Sequence, residues 1–201
     1  IESIEWIDLV SNESSQYNKT IDKSIKFKNA QCELLCVNNS GEQSKIWMFH
    51  RYISIEGIKK PQRLSVGYYI REKDGRDIID VTVDPKLFCY FPTSETRGQK
   101  RIMHAPFLLT PSRSELREDH INDYLIKELA KLSADSLVYL RDIGLKQKSL
   151  LIDNNLFDLI SFPKFGRGYV SYGTWDSEYL RVVKANNLLL TRAGKYASVA
   201  D

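Results

Sequence analysis

Hydrophobic and polar positions alternate along the first part of the chain and then change period. Ile1 to Val10 is apolar enough for an opening strand, and the polar stretch Ser11 to Asn18 reads as a loop. From Ile21 to Val37 the chain reads as extended, with Ile21, Ile25 and Phe27 on one side and Lys26 and Lys28 on the other. Asn38-Asn39-Ser40-Gly41 has turn composition, and Lys45 to Tyr52 returns as an aromatic-rich strand. Leu64, Val66, Tyr68 and Ile70 share one face of the next strand at period two. Asp74-Gly75 suits a hairpin turn, with Ile78 to Val83 returning from it. Between Pro85 and Pro92, Leu87 to Phe91 is a short unbroken apolar run, the pattern of a strand buried on both faces.

After Pro92 the period becomes helical. A polar loop, Thr93 to Lys100, leads to a second apolar segment, Ile102 to Leu109. Ser112-Arg113-Ser114-Glu115 matches a capping box and predicts a helix start at Arg113. Asp119 can cap a further helix with core positions Ile121, Leu125, Leu129, Leu132 and Ser136, ending near Gly144 as its C′ residue. Leu151 to Ile160 predicts a short helix, and Phe162 to Tyr169 reads as a loop. Ser177 to Asn187 has helical spacing at Tyr179, Val182 and Val183. Leu188 to Tyr196 reads as a strand entering a hairpin. Sheet first and long helix after predicts an α+β fold, a largely antiparallel sheet packed by a long helix. The expected division is a domain over 1–145 and a small C-terminal extension over 146–201.

Composition narrows the classes. The chain has 201 residues, 42% of them hydrophobic and 27% charged. Its mean hydropathy is −0.36. That suits a globular protein with no membrane span. Three cysteines, Cys32, Cys36 and Cys89, make no even disulfide framework and lack metal-ligand spacing, which predicts a reducing, cytoplasmic setting. A start at Ile1 is read as a piece of a longer polypeptide. A net charge of +3 is too mild to predict a nucleic-acid partner by itself.

Phosphate-loop, dinucleotide, zinc-protease and nucleophile-elbow motifs are absent from the sequence, and no nucleophile–base pair or metal cluster is visible in it. The informative region is basic. From Arg97 to Arg117 the chain carries Arg97, Lys100, Arg101, Arg113 and Arg117 against the single acid Glu115. A guanidinium at a helix start, as predicted for Arg113, suits an anion, since free backbone N–H groups and the dipole add to its charge.

These residues carry a resemblance. Leu87-Phe88-Cys89-Tyr90-Phe91-Pro92-Thr93, Glu95-Thr96-Arg97-Gly98 and His104-Ala105-Pro106-Phe107-Leu108-Leu109-Thr110-Pro111-Ser112-Arg113-Ser114-Glu115-Leu116-Arg117-Glu118-Asp119 resemble the sacsin-like branch of the GHKL ATPases. Lys45 to Phe49 and Asn122 to Ala130 also look like family blocks. Ser112-Arg113-Ser114-Glu115-Leu116 is similar to a helix start in the middle domain of ninety-kilodalton heat-shock chaperones, offset by one position at Ser114. There, an arginine reaches the γ-phosphate of ATP held by a preceding domain.

The resemblance implies a middle, transducer-like domain with a two-layer sandwich fold. Arg113 would be the catalytic arginine, with Arg97 and Lys100 beside it facing the nucleotide. ATP with Mg²⁺ would be bound by a separate N-terminal ATPase domain, the main partner, with protein clients possible and the isolated fragment inactive. The alternative is a nucleic-acid or protein binding module built on residues 97–117.

Overall fold

The computed structural model describes residues 3–7, 14–85, 87–94, 100–160 and 172–199. Its centre is an antiparallel meander: β1 (Ser3–Ile7), β2 (Ser14–Phe27), β3 (Ala30–Asn39), β4 (Glu42–Ile53) and β5 (Gln62–Lys73), each paired with the next. β6 (Arg76–Ile79) folds back on the end of β5 through the Asp74-Gly75 turn. Beyond β5 the sheet continues with β9 (Ile102–His104), then β7 (Leu87–Cys89) and β8 (Phe91–Pro92). The β7–β9 pair is parallel, which makes the sheet mixed. A long helix, α1 (His120–Gln147), crosses the sheet. A short α2 (Leu156–Leu159), α3 (Tyr172–Ala185) and a hairpin of β10 (Leu189–Leu190) and β11 (Tyr196–Ala197) complete the described chain. The fold is α+β, as expected.

Period two explains the layering. Cys32 and Leu34, Trp47 and Phe49, and Leu64, Val66 and Tyr68 are buried on one sheet face. They share one core with Leu125, Leu129 and Leu132 of α1. That core also takes in Leu151, Ile152, Leu159, Trp175, Val182 and Leu188, so the C-terminal elements pack into it. The opposite sheet face carries a small separate cluster, Leu35, Ile46 and Ile102.

Local departures from the sequence reading have identifiable causes. The polar stretch expected as a loop is strand from Ser14 onward, because its backbone pairs with both β1 and β3. The extended run from Ile21 splits at Lys28-Asn29 into two strands. A register shift between Ile21 and Lys23 changes the phase of β2 and leaves Ile21 exposed, while Phe27 stacks on Tyr139 at 4.1 Å. The run Leu87 to Phe91 breaks at Tyr90, whose φ of 63° turns the chain and exposes Tyr90 and Phe91.

Asp119 does cap α1, its carboxylate accepting the Ile121 N–H at 3.0 Å. The helix passes Gly144 and ends at Lys148, in the left-handed conformation. A Cβ on Gly144 would stand 2.9 Å from the Ser149 carbonyl, so this glycine permits close passage of the chain leaving the helix. The loop reading for Phe162 to Tyr169 lies outside the described residues.

Candidate functional site

The chain does not enter a helix at Arg113. Residues 108–117 form a tight hairpin instead. Arg117 N–H donates to the Leu108 carbonyl at 2.9 Å, Leu109 bridges Leu116, and Thr110 N–H donates to the Glu115 carbonyl at 2.9 Å. Arg113 sits at the tip with φ of 58° and donates its N–H to the Thr110 carbonyl at 2.8 Å. The capping box fails because the hydroxyls satisfy one another. Ser112 Oγ lies 3.0 Å from Thr110 Oγ1 and 2.7 Å from Ser114 Oγ, leaving the serine engaged in a turn rather than on helical N–H groups.

The hairpin has a rigid base. Asn122, fully buried in the first turn of α1, accepts from Leu108 N–H at 2.9 Å and donates to the carbonyls of Leu108 and Arg117, each at 2.7 Å. One side chain thus grips both hairpin strands. On the far side, Ser94 N–H donates to the Ser114 carbonyl at 2.8 Å. The tip is held by hydrogen bonds at its base and flank, while the Arg113 guanidinium is exposed. Among the described residues it has no ion-pair or hydrogen-bond partner.

Beside the tip lies an open cleft of about 640 Å³ between residues 89–92 and residues 107–111, with Arg113 in its lining. Among the described residues, its lining contains no acid. Tyr90 and Phe91 present exposed rings there, at 73% and 74% accessibility, and Tyr90 meets His104 edge-on at 5.6 Å. Cys89 Sγ donates to the Phe107 carbonyl at 3.2 Å, and burial pushes this thiol up, away from reactivity. Among the described residues its lining sets the rings of Tyr90, Phe91 and Phe107 beside one cation, Arg113.

The basic stretch does not stay together as a surface field. Arg97 lies outside the described residues, and Lys100 is half-buried and does not line the cleft. Arg117 is spent on Asp119 at 2.6 Å. Arg101 is fully buried, its Nη1 donating to Ser133 Oγ at 2.8 Å. Burial lowers the pKa of this guanidinium, with the Tyr68 hydroxyl opposing the shift. Among the described members of the cluster, Arg113 is thus the arginine that is both exposed and without an ion pair.

A second polar group was invisible in the sequence because only strand register assembles it. Gln31, His50, Ser65 and His104 lie opposite one another across four adjacent strands. His50 Nδ1 is 2.8 Å from Ser65 Oγ, and its Nε2 is 3.5 Å from Glu33 Oε2, a nucleophile–base–carboxylate order. With the imidazole proton on Nε2, toward Glu33, Nδ1 accepts the Ser65 hydroxyl. Burial and Arg63 hold His50 below its ordinary pKa against the pull of Glu33. Burial, Arg63 and His50 push His104 down to about 4.

The arrangement orients side chains but gives a substrate little access. Ser65 is 4% exposed, and β5 is paired on both sides there, so its backbone donors serve the ladder and not an oxyanion. Among the described residues no three His, Cys, Asp or Glu side chains converge to hold a metal ion, and no helix is long and apolar enough to cross a membrane.

No family model, curated protein or solved structure matches the chain.

Proposed function

We propose that this chain is the middle, coupling domain of a cytoplasmic, chaperone-like GHKL ATPase, and that Arg113 is the arginine it offers to the γ-phosphate of ATP held with Mg²⁺ by a separate N-terminal domain. The observation that carries this reading is the presentation of Arg113: exposed, on a hairpin fixed by Asn122, beside a cleft in whose lining the described residues include no acid. The residues present fit a phosphate. A guanidinium donates two parallel N–H groups to phosphate oxygens, and the hydroxyls of Thr110, Ser112 and Ser114 stand on the same turn.

An arginine supplied from a second domain neutralises charge that develops on the γ-phosphoryl oxygens only when the two domains meet. Hydrolysis is thereby tied to domain closure, and the nucleotide state is read out as shape. Arg97 and Lys100 are proposed to face the same charge. Protein clients remain part of this reading.

The test is ATP turnover by a polypeptide that joins the nucleotide-binding domain to this chain, as wild type and as Arg113→Ala. The expected loss is about 10- to 10³-fold, with nucleotide affinity retained. Turnover equal to wild type would leave Arg113 as a turn residue only.

The adjacent exposed rings of Tyr90 and Phe91 favour one other reading, a single-stranded nucleic acid stacked on them with a phosphate on Arg113. It predicts affinity for this chain alone that falls steeply with salt.

A further inference from the structure

Arg101 joins four parts of the chain inside the core. It stands between Lys100 and β9, and its guanidinium is completely buried. Nη1 donates to Ser133 Oγ at 2.8 Å, and the same Oγ lies 2.8 Å from the Tyr179 hydroxyl on α3. One turn along α1, Ser136 Oγ donates to the Ser133 carbonyl at 2.7 Å and meets the Tyr68 hydroxyl of β5 at 2.7 Å. The guanidinium carbon lies 5.3 Å from the Tyr179 ring centre and 6.0 Å from that of Trp175. Both rings belong to α3 and both residues are buried.

A hydrocarbon of similar volume would fill this space without the cost of burying a charge. What a guanidinium adds is direction. Its planar fork fixes the hydroxyls it bonds, and its face fixes the rings packed on it. The small polar residues on α1 serve this purpose, since Ser133 and Ser136 are completely buried among the leucines and alanines of its core face. Another tie from α3 is of a different kind: Arg181 reaches Asp135 at 2.9 Å, and Asp135 reaches Arg51 of β4 at 2.8 Å, a partly exposed chain of ion pairs.

We infer that Arg101 is a coupling residue, which makes the segment from Lys100 to His104 and the docking of helix α3 one cooperative unit. Displacement of either moves the guanidinium, and the guanidinium carries the other with it. Such coupling is reciprocal and independent of which ligand meets Arg113. It gives the fold a route from the basic segment at Lys100 to the C-terminal helix through one side chain.

Hydrogen exchange on the 201-residue chain tests this. Val182→Ala loosens α3 at a buried position distinct from the Arg101 contacts. The expected result is a roughly tenfold faster exchange both in α3 and in residues 100–104. In the Arg101→Met background the same substitution speeds α3 alone, while Tm stays at or above the wild-type value. High salt, which screens the Arg181–Asp135–Arg51 chain, leaves the coupling in the Arg101 protein intact.

Equal transmission to residues 100–104 with Met in place of Arg101 would overturn the inference, as would no transmission in the wild type. Tyr179→Phe is the second variant should Arg101→Met fail to fold. It removes only the hydroxyl on Ser133, and it must weaken transmission with little change in Tm; transmission at full strength would contradict the assignment.

Discussion

Arg101 and Arg113 come from one basic stretch and end in opposite surroundings. Arg101 is enclosed by two rings, two helices and the sheet, and serves the fold. Arg113 is held at the tip of a hairpin whose base is bonded by Asn122, and its charge faces outward. The difference lies in what the neighbouring backbone does. The segment around Arg101 leads into β9, paired on both sides within the sheet, whereas Pro111 to Arg113 form an exposed hairpin tip. A run of positive charge in sequence therefore says little about a shared surface until strand order is known.

The sharpest way to break the comparison is to remove aromatic rings from each region. Trp175→Ala empties the space beside Arg101 and is expected to cost about 3–5 kcal/mol by urea denaturation. Replacing both Tyr90 and Phe91 by Ser at the cleft should change stability by less than about 1 kcal/mol, because both rings are mainly in solvent. Equal effects would mean that the cleft is covered or the core open.

The histidine row supplies the next effect. His104 is pushed from 6.5 to about 4 in the folded protein, so the unfolded chain binds its proton first. Its contribution to stability is present above about pH 6.5 and is lost as the pH falls toward about 4, with a ceiling of about 3 kcal/mol. His50 is shifted in the same direction. Replacing His104 by Gln is expected to flatten part of the stability slope in that window, as read by denaturation at successive pH values.

Smaller effects sharpen the boundary between hairpin and helix. Asp119→Ala removes the cap of α1 immediately after the hairpin and should lower Tm by about 2–4 °C, measured calorimetrically. Arg113→Gly relieves a left-handed backbone and is expected to leave stability unchanged or raise it by up to about 1 kcal/mol. A large loss on Arg113→Gly would show that the side chain supports the hairpin and is not free for a partner.

Much of the architecture was legible in the chain because it rests on local periodicity. Period two placed Leu64, Val66, Tyr68 and Ile70 on the core face, and the spacing from Leu125 to Ser136 placed the buried side of α1. Features decided by pairing or by competition between local hydrogen bonds were not legible. The capping-box pattern at Ser112 was overridden by a hydroxyl chain within the turn, and the shift near Asp22 reversed the side on which Ile21 falls. Arg113 stood out from charge and resemblance. The base that holds it, Asn122, and the burial of Arg101 depend on residues brought together only by the fold.

The central claim is that Arg113, unpaired among the described residues, meets phosphate on a partner domain, while Arg101 never leaves the core. Modification by an arginine-selective dicarbonyl, mapped by mass spectrometry, tests both halves on a polypeptide that also carries the nucleotide-binding domain. The account predicts modification of Arg113 without nucleotide, protection of Arg113 by a non-hydrolysable ATP analogue, and no modification of Arg101 in either state. Reactivity of Arg113 that ignores the analogue, or ready modification of Arg101 in the folded protein, would contradict it.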